Sequence, residues 1–70
     1  MLKDRIIRDL VKGQSTLEPI ALRLNEPADL VLEELKAMLI EGVILKSLIS
    51  DFMPLYRLTE KTRQSLYEPR

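Results

Sequence analysis

The stretch LKAMLIEGVI, residues 35–44, decides the fold, because a helical pattern ends within it and a strand-like pattern begins. Upstream of it, apolar residues recur at helical spacing and form one arc of about 120° that would face a core. Gly42 is the residue type that most often ends a helix in the left-handed conformation. Residues 43–49 are rich in β-branched side chains, which favour a strand. We therefore expect a helix that begins at Pro27 and ends at Glu41, followed directly by a strand.

Two shorter helices are expected before this one. Residues 2–12 carry apolar side chains at helical spacing, so the first helix should cover that range. Ser15 and Glu18 have the spacing of a capping box, and Thr16 is a second cap candidate. The second helix should therefore begin near Thr16. It should end at Asn25, because asparagine tolerates the left-handed conformation of a tight turn better than most residues.

The C-terminal part of the chain is typical of a hairpin followed by a short helix. Residues 43–49 and 55–58 predict two strands, and residues 50–54 between them carry turn-forming types. Thr59 is expected to cap a last helix over residues 60–67. The order helix-helix-helix-strand-strand-helix makes the predicted fold mainly α with a small β-hairpin.

One domain should cover residues 1–70, since a chain of 70 residues has no room for a second core. Met1 and the full set of elements favour a complete small protein over a fragment of a larger regulator. Leu66 of the last helix should face inward. The other residues expected to be largely buried in one cluster are Ile7, Leu10, Ile20, Leu24, Val31, Leu35, Met38, Ile44 and Leu58.

Three short motifs are spread along the chain. Ile20-Ala21 is followed by Asn25, residues 35–44 fit the pattern Leu-Lys-x-Leu-x-x-Glu-Gly-x-Ile with Met38 in place of the second Leu, and residues 56–61 read YRLTEK, followed by Thr62. Together they resemble the winged helix-turn-helix domains of MarR, ArsR and PadR-type transcriptional regulators, in which a Gly usually stands at the position of Thr62. The resemblance covers nearly the whole chain and implies a winged helix-turn-helix fold.

Composition excludes several classes of site. The chain has no Cys and no His, which removes zinc and iron–sulfur sites and nucleophiles activated by imidazole. It has 2 Gly, so it has no glycine-rich phosphate loop. We therefore expect no enzyme, no cofactor and no bound metal. No run of uncharged residues is long enough for a membrane-spanning helix or a signal peptide, so we expect a cytoplasmic protein with no membrane contact.

The resemblance implies that the third helix enters the major groove of duplex DNA and that the wing contacts the flanking backbone. Two acids on the exposed face of that helix are unusual for DNA, although a carboxylate can accept a hydrogen bond from cytosine N4. The 11 Lys and Arg balance the 11 Asp and Glu, so a basic excess is absent. The candidate DNA-binding residues are Arg5, Arg8, Lys12, Arg23, Asp29, Leu30, Glu33, Lys36, Lys46 and Arg57.

The cations of the first helix have a simpler interpretation as well. Arg5, Arg8 and Lys12 fall within about 60° of one another on a helical wheel. Charged residues on one side of a helix usually form a solvated face, and Asp4 and Asp9 would dilute this one. That interpretation requires no ligand.

A protein-interaction module, or a small accessory subunit that does not bind DNA, is the alternative function, since winged helices also serve in protein contacts. Leu30, Phe52 and Met53 would form its contact patch if they are exposed. In either function the protein could act as a homodimer. The resemblance places DNA binding first, because most bacterial winged helices bind DNA.

Overall fold

The computed structural model describes residues 1–50 and 53–67 and confirms the expected order of elements. The elements are α1 (Leu2–Val11), α2 (Leu17–Leu24), α3 (Ala28–Glu41), β1 (Ile44–Ser50), β2 (Met53–Leu58) and α4 (Glu60–Tyr67). Pro27 precedes α3 instead of starting it, and β2 includes Pro54, which the sequence places in the turn. Within the described ranges, no helix is both long enough and apolar enough to cross a membrane.

The hairpin pairs β1 and β2 in antiparallel register. Residues that lie opposite each other share a face, so the pairs Ile44–Leu58 and Lys46–Tyr56 lie on the same side of the hairpin. Ile44, Tyr56 and Leu58 are buried, and Lys46 is exposed. The hairpin therefore has an inner face, which packs against the helices, and an outer face.

Ser15 forms a one-residue bridge beside β2. Its amide nitrogen donates to the Tyr56 carbonyl over 2.9 Å, and the Tyr56 amide donates to the Ser15 carbonyl over 2.7 Å. The predicted capping box of Ser15 and Glu18 is wrong, because Ser15 lies one residue before Thr16, the N-cap of α2. Pairing with β2 fixes the backbone of Ser15, and its hydroxyl accepts a hydrogen bond from Arg23.

One cluster of buried side chains joins the first three helices to the hairpin. The prediction that Ile7 and Leu24 are largely buried is wrong, because both are half-buried at its edge. Ile6 is buried instead of Ile7, since Ile6 and Leu10 are one helical turn apart and face the cluster together. Leu66 does not face inward, with 48% of its surface exposed. The buried members are Ile6, Leu10, Ile20, Ala21, Val31, Leu35, Met38, Ile44, Tyr56 and Leu58.

Left-handed residues end α2 and α3, as the sequence predicts. Asn25 has φ 55° and ψ 46°, and Gly42 has φ 78° and ψ 18°. After Asn25, the amide of Glu26 donates to the carbonyl of Ala21 over 3.1 Å, which satisfies a carbonyl at the end of α2. These two turns set the direction of α3 relative to α2 and of β1 relative to α3.

A first prediction concerns the core. Leu35 is fully buried, whereas Leu22 is 81% exposed on α2. Leu35→Ala should lower the free energy of unfolding by about 2–5 kcal/mol, because it removes buried methyl groups and leaves a cavity. Leu22→Ala is the matched control and should change that free energy by less than about 0.5 kcal/mol. Urea unfolding of both variants measures the difference, and equal effects would contradict the assigned core.

A second prediction concerns the turn at Asn25. Asn25→Gly should leave the free energy of unfolding unchanged or raise it slightly, because glycine adopts positive φ without steric cost. Asn25→Val should lower it by about 1–3 kcal/mol, since a β-branched side chain is strained in this conformation. Thermal unfolding compares the two variants with the parent chain. Equal tolerance of glycine and valine would show that the backbone is not left-handed there.

A third prediction concerns pH. Burial raises the pKa of the Tyr56 phenol above its ordinary value of 10.0. The folded chain therefore keeps the phenol proton at pH values where the unfolded chain has lost it. This contribution to stability is complete below about pH 10 and is lost as the pH rises through the folded-state pKa. Tyr56→Phe should therefore lose less free energy of unfolding between pH 8 and pH 11 than the parent chain does. Urea unfolding at the two pH values measures this difference. An equal decrease in the variant and the parent chain would contradict the prediction.

Candidate nucleic-acid interface

The outward side of α3 is exposed to solvent. Val31, Leu35 and Met38 are buried, so residues on the opposite side of the helix face away from the core. Ile40, which the sequence analysis did not single out, is 89% exposed and lies one turn after Lys36. The predicted reading face is exposed at every position, namely Asp29, Leu30, Glu33, Lys36 and Ala37.

The charge of this side is predominantly negative. Lys36 lies 3.8 Å from Glu33, measured from Nζ to Oε1, in an exposed pair one turn apart. A pair of this kind contributes little to stability. Asp29 accepts a hydrogen bond from the next backbone amide over 3.0 Å, and Glu41 pairs with Lys3 of α1 over 3.0 Å. A polyphosphate approaching the middle of α3 would therefore meet one lysine and several acids.

A cleft of about 580 Å³ separates α3 from the hairpin. Leu32 of α3, Pro54 of β2 and Pro19 in the first turn of α2 are among its lining residues. The N-cap Thr16 also lines it and makes no side-chain bond to the helix that follows. The first amide groups of a helix have no partner within the helix and attract anions. The acid Glu18, in the first turn of α2, also lines the cleft and offsets the positive end of that helix.

Two lysines belong to the same side of the domain as this cleft. Lys36 lies one turn after Leu32, which lines the cleft, and so shares its side of α3. Lys46 lies opposite Tyr56, another lining residue, on the inner face of the hairpin. Lys46 has no ion-pair partner among the described residues. Arg57 follows Tyr56 and therefore points to the outer face of the hairpin.

Four of the predicted DNA-binding cations lie elsewhere. Arg5 and Arg8 of α1, Lys12 directly after α1, and Arg23 of α2 line a groove of about 460 Å³ between these helices. None of these four residues lines the cleft beside α3. The structure therefore divides the predicted residues between two surfaces, the α3–hairpin side and the α1–α2 groove.

Arg23 is held by an acid and a hydroxyl. Its Nε donates to Asp9 Oδ1 over 2.7 Å, and its Nη2 donates to Asp9 Oδ2 over 2.8 Å and to Ser15 Oγ over 2.9 Å. The side chain of Asp9 is 5% exposed, so the expectation that Asp9 dilutes a solvated face is wrong. The hydrogen bond with Asp9 raises the pKa of Arg23 above its ordinary value, although partial desolvation opposes the shift.

The other cations of the groove differ in their partners. Arg5 Nη1 donates to Glu26 Oε2 over 2.7 Å, and Arg5 Nη2 donates to the carbonyl of Leu24. Arg8 and Lys12 are exposed and pair with no acid in the described part of the chain. Two of the four cations therefore have fixed positions, and two have uncompensated charge.

The apolar patch predicted for partner binding is described only in part. Leu30 and Met53 are 53% and 50% exposed, so both meet the condition set for such a patch. Phe52 lies outside the described residues. Leu48 and Ile49 of β1 are further large apolar residues that are exposed. Contact of any of these residues with a partner remains a prediction.

The fold has a solved counterpart. The chain is similar to Bacillus subtilis PadR, whose crystal structure was solved in complex with operator DNA, with a TM-score of 0.75 and 21% sequence identity. The similarity covers 100% of this chain and 49% of the PadR chain, so the chain spans about half of PadR's length. The chain matches no protein-family model and no curated protein. It has a winged helix-turn-helix fold of the kind seen in PadR-type regulators.

Proposed function

We propose that this domain binds duplex DNA as a transcription regulator, with α3 in the major groove and the hairpin beside it. The observation that carries the proposal is the likeness of the whole chain to PadR, which was solved with operator DNA. Two features of this chain support it. The outward side of α3 is exposed, and a cleft open to a ligand runs between α3 and the hairpin.

The phosphate contacts in this proposal come from a small number of groups. Lys36 and Lys46 belong to the cleft side, and the first amide groups of α2 can donate to a phosphate oxygen. Arg57 could reach the backbone from the outer face of the hairpin. The cations of the α1–α2 groove line a different surface and are not part of this proposal.

The base contacts in this proposal are unusual because acidic side chains make some of them. Glu33 and Asp29 can accept a hydrogen bond from cytosine N4, and Ala37 and Leu30 can pack on a thymine methyl group. Asp29 forms no ion pair among the described residues, and Glu33 forms only the exposed pair with Lys36 over 3.8 Å. We therefore expect the domain to bind a DNA site that presents cytosines to α3 more tightly than a site that lacks them.

Affinity in this proposal depends on pairing of two domains. A single domain with so few cations should bind random duplex weakly, with a Kd of about 10⁻⁴ M near physiological salt. Two copies related by a two-fold axis would read half-sites about 34 Å apart and bind together more tightly than either alone. We therefore propose a homodimer on a two-fold site, in the cytoplasm.

A fourth prediction tests the contact surface. Fluorescence anisotropy with a labelled duplex should give a shallow decrease in affinity with salt, equivalent to about three to five phosphate contacts per protomer. Lys36→Gln should weaken binding and reduce that slope by about one contact. Glu33→Gln should strengthen nonspecific binding, because it removes a negative charge that repels phosphates, or should change the base preference if Glu33 reads a cytosine.

Lys61→Gln is the matched control, because Lys61 is an exposed residue of α4, away from the cleft. It should leave affinity and salt slope nearly unchanged. The proposal would be refuted if neither the parent chain nor any of the three variants binds the duplex at high micromolar concentration and low salt. The protein-interaction module would then be the better explanation of the exposed residues Leu30 and Met53.

A further inference from the structure

We propose that the α1–α2 groove is a second binding site, which takes phosphate groups that carry at least two negative charges. The site is separate from the surface proposed for DNA reading and does not depend on it. Its lining residues are Arg5, Arg8, Asp9, Lys12, Arg23 and Leu24.

The first argument is uncompensated charge. Both carboxylate oxygens of Asp9 accept hydrogen bonds from Arg23, and Glu26 pairs with Arg5. These two acids are therefore already used, whereas Arg8 and Lys12 form no ion pair in the described ranges, not even with Asp4, which lies one turn before Arg8. Cations one turn apart on the same side of a helix repel each other. A bound anion with two charges would relieve that repulsion and balance the surplus.

The second argument is the geometry of the donors. Arg5 and Arg23 are held in place by their partners, so little side-chain entropy remains to be lost when an anion binds. The Nη1 group of Arg23 takes no part in the bonds to Asp9 and Ser15, and Nε of Arg5 takes no part in the bonds to Glu26 and Leu24. Guanidinium groups match the oxygens of a phosphate, and the lysine adds a mobile cation.

The third argument is that the charge is local. The chain has a formal net charge of +0, so it has no general attraction for polyanions. The surplus in the groove is balanced by acids that do not line it, among them Asp29 and Glu33 of α3. Binding of a phosphate compound should therefore be confined to the groove and should not spread over the surface.

Inorganic pyrophosphate is the probe for a free phosphate compound. In amide NMR spectra of the whole chain, it should cause saturable shifts at residues 5–12 and around Arg23. Arg8→Gln and Lys12→Gln should each weaken the affinity by about threefold to tenfold, because each removes a charge-assisted contact. Lys61→Gln removes an equal charge from α4 and should weaken it by less than about twofold.

Thermal unfolding checks that the three variants are folded. All three should be as stable as the parent chain, because exposed residues without ion-pair partners tolerate glutamine. Shifts that do not saturate, or an equal loss of affinity in Lys61→Gln, would overturn the proposal.

A short random duplex is the second probe and identifies the source of the phosphate. If the duplex shifts the same amides and Lys12→Gln weakens its binding, the groove takes backbone phosphates. If only pyrophosphate shifts them, the groove takes a free phosphate compound. If neither probe shifts them, the proposal fails while the DNA-reading proposal stands.

Discussion

The ion pair between the buried carboxylate of Asp9 and the guanidinium of Arg23 is the constraint on which the arrangement of this domain depends. It joins α1 to α2, and the same guanidinium donates to the hydroxyl of Ser15. The backbone of Ser15 in turn pairs with Tyr56 of β2. The side chain of Asp9 is 5% exposed, so loss of Arg23 would leave a buried carboxylate without its partner, and this favours one relative position of the three elements. The start of α2 therefore lies beside the hairpin and completes the cleft next to α3.

This arrangement separates the charges of a chain that has no net charge. The groove between α1 and α2 collects four cations, whereas the outward side of α3 carries Asp29 and Glu33 against the single Lys36. Phosphate attraction on the α3 side is therefore weak, which is why the proposed DNA binding relies on base contacts and on a homodimer. The groove is positively charged instead, because its cations outnumber its acids. The two surfaces thus suit ligands of different size and charge.

The sequence predicts the parts of this structure that depend on neighbouring residues. Helix lengths follow from apolar spacing, and the turns at Asn25 and Gly42 follow from residue types that tolerate positive φ. The parts it does not predict depend on partners distant in the chain. Asp9 looks like a surface acid until Arg23 is placed beside it, and Ser15 looks like a helix cap until its backbone pairs with β2. The same holds for the site, where local patterns find the exposed side of α3 but cannot divide the cations between two surfaces.

The central claim is that DNA lies against α3 and the hairpin and away from α1. Because the chain has no cysteine of its own, single cysteines can carry a tethered reagent that cleaves DNA. Ala37→Cys places the reagent on the outward side of α3, and Asp4→Cys places it on the exposed side of α1. With a labelled duplex at low salt, the reagent at position 37 should cleave both strands near the bound site, and the reagent at position 4 should give only background. Equal or stronger cleavage from position 4 would contradict the account.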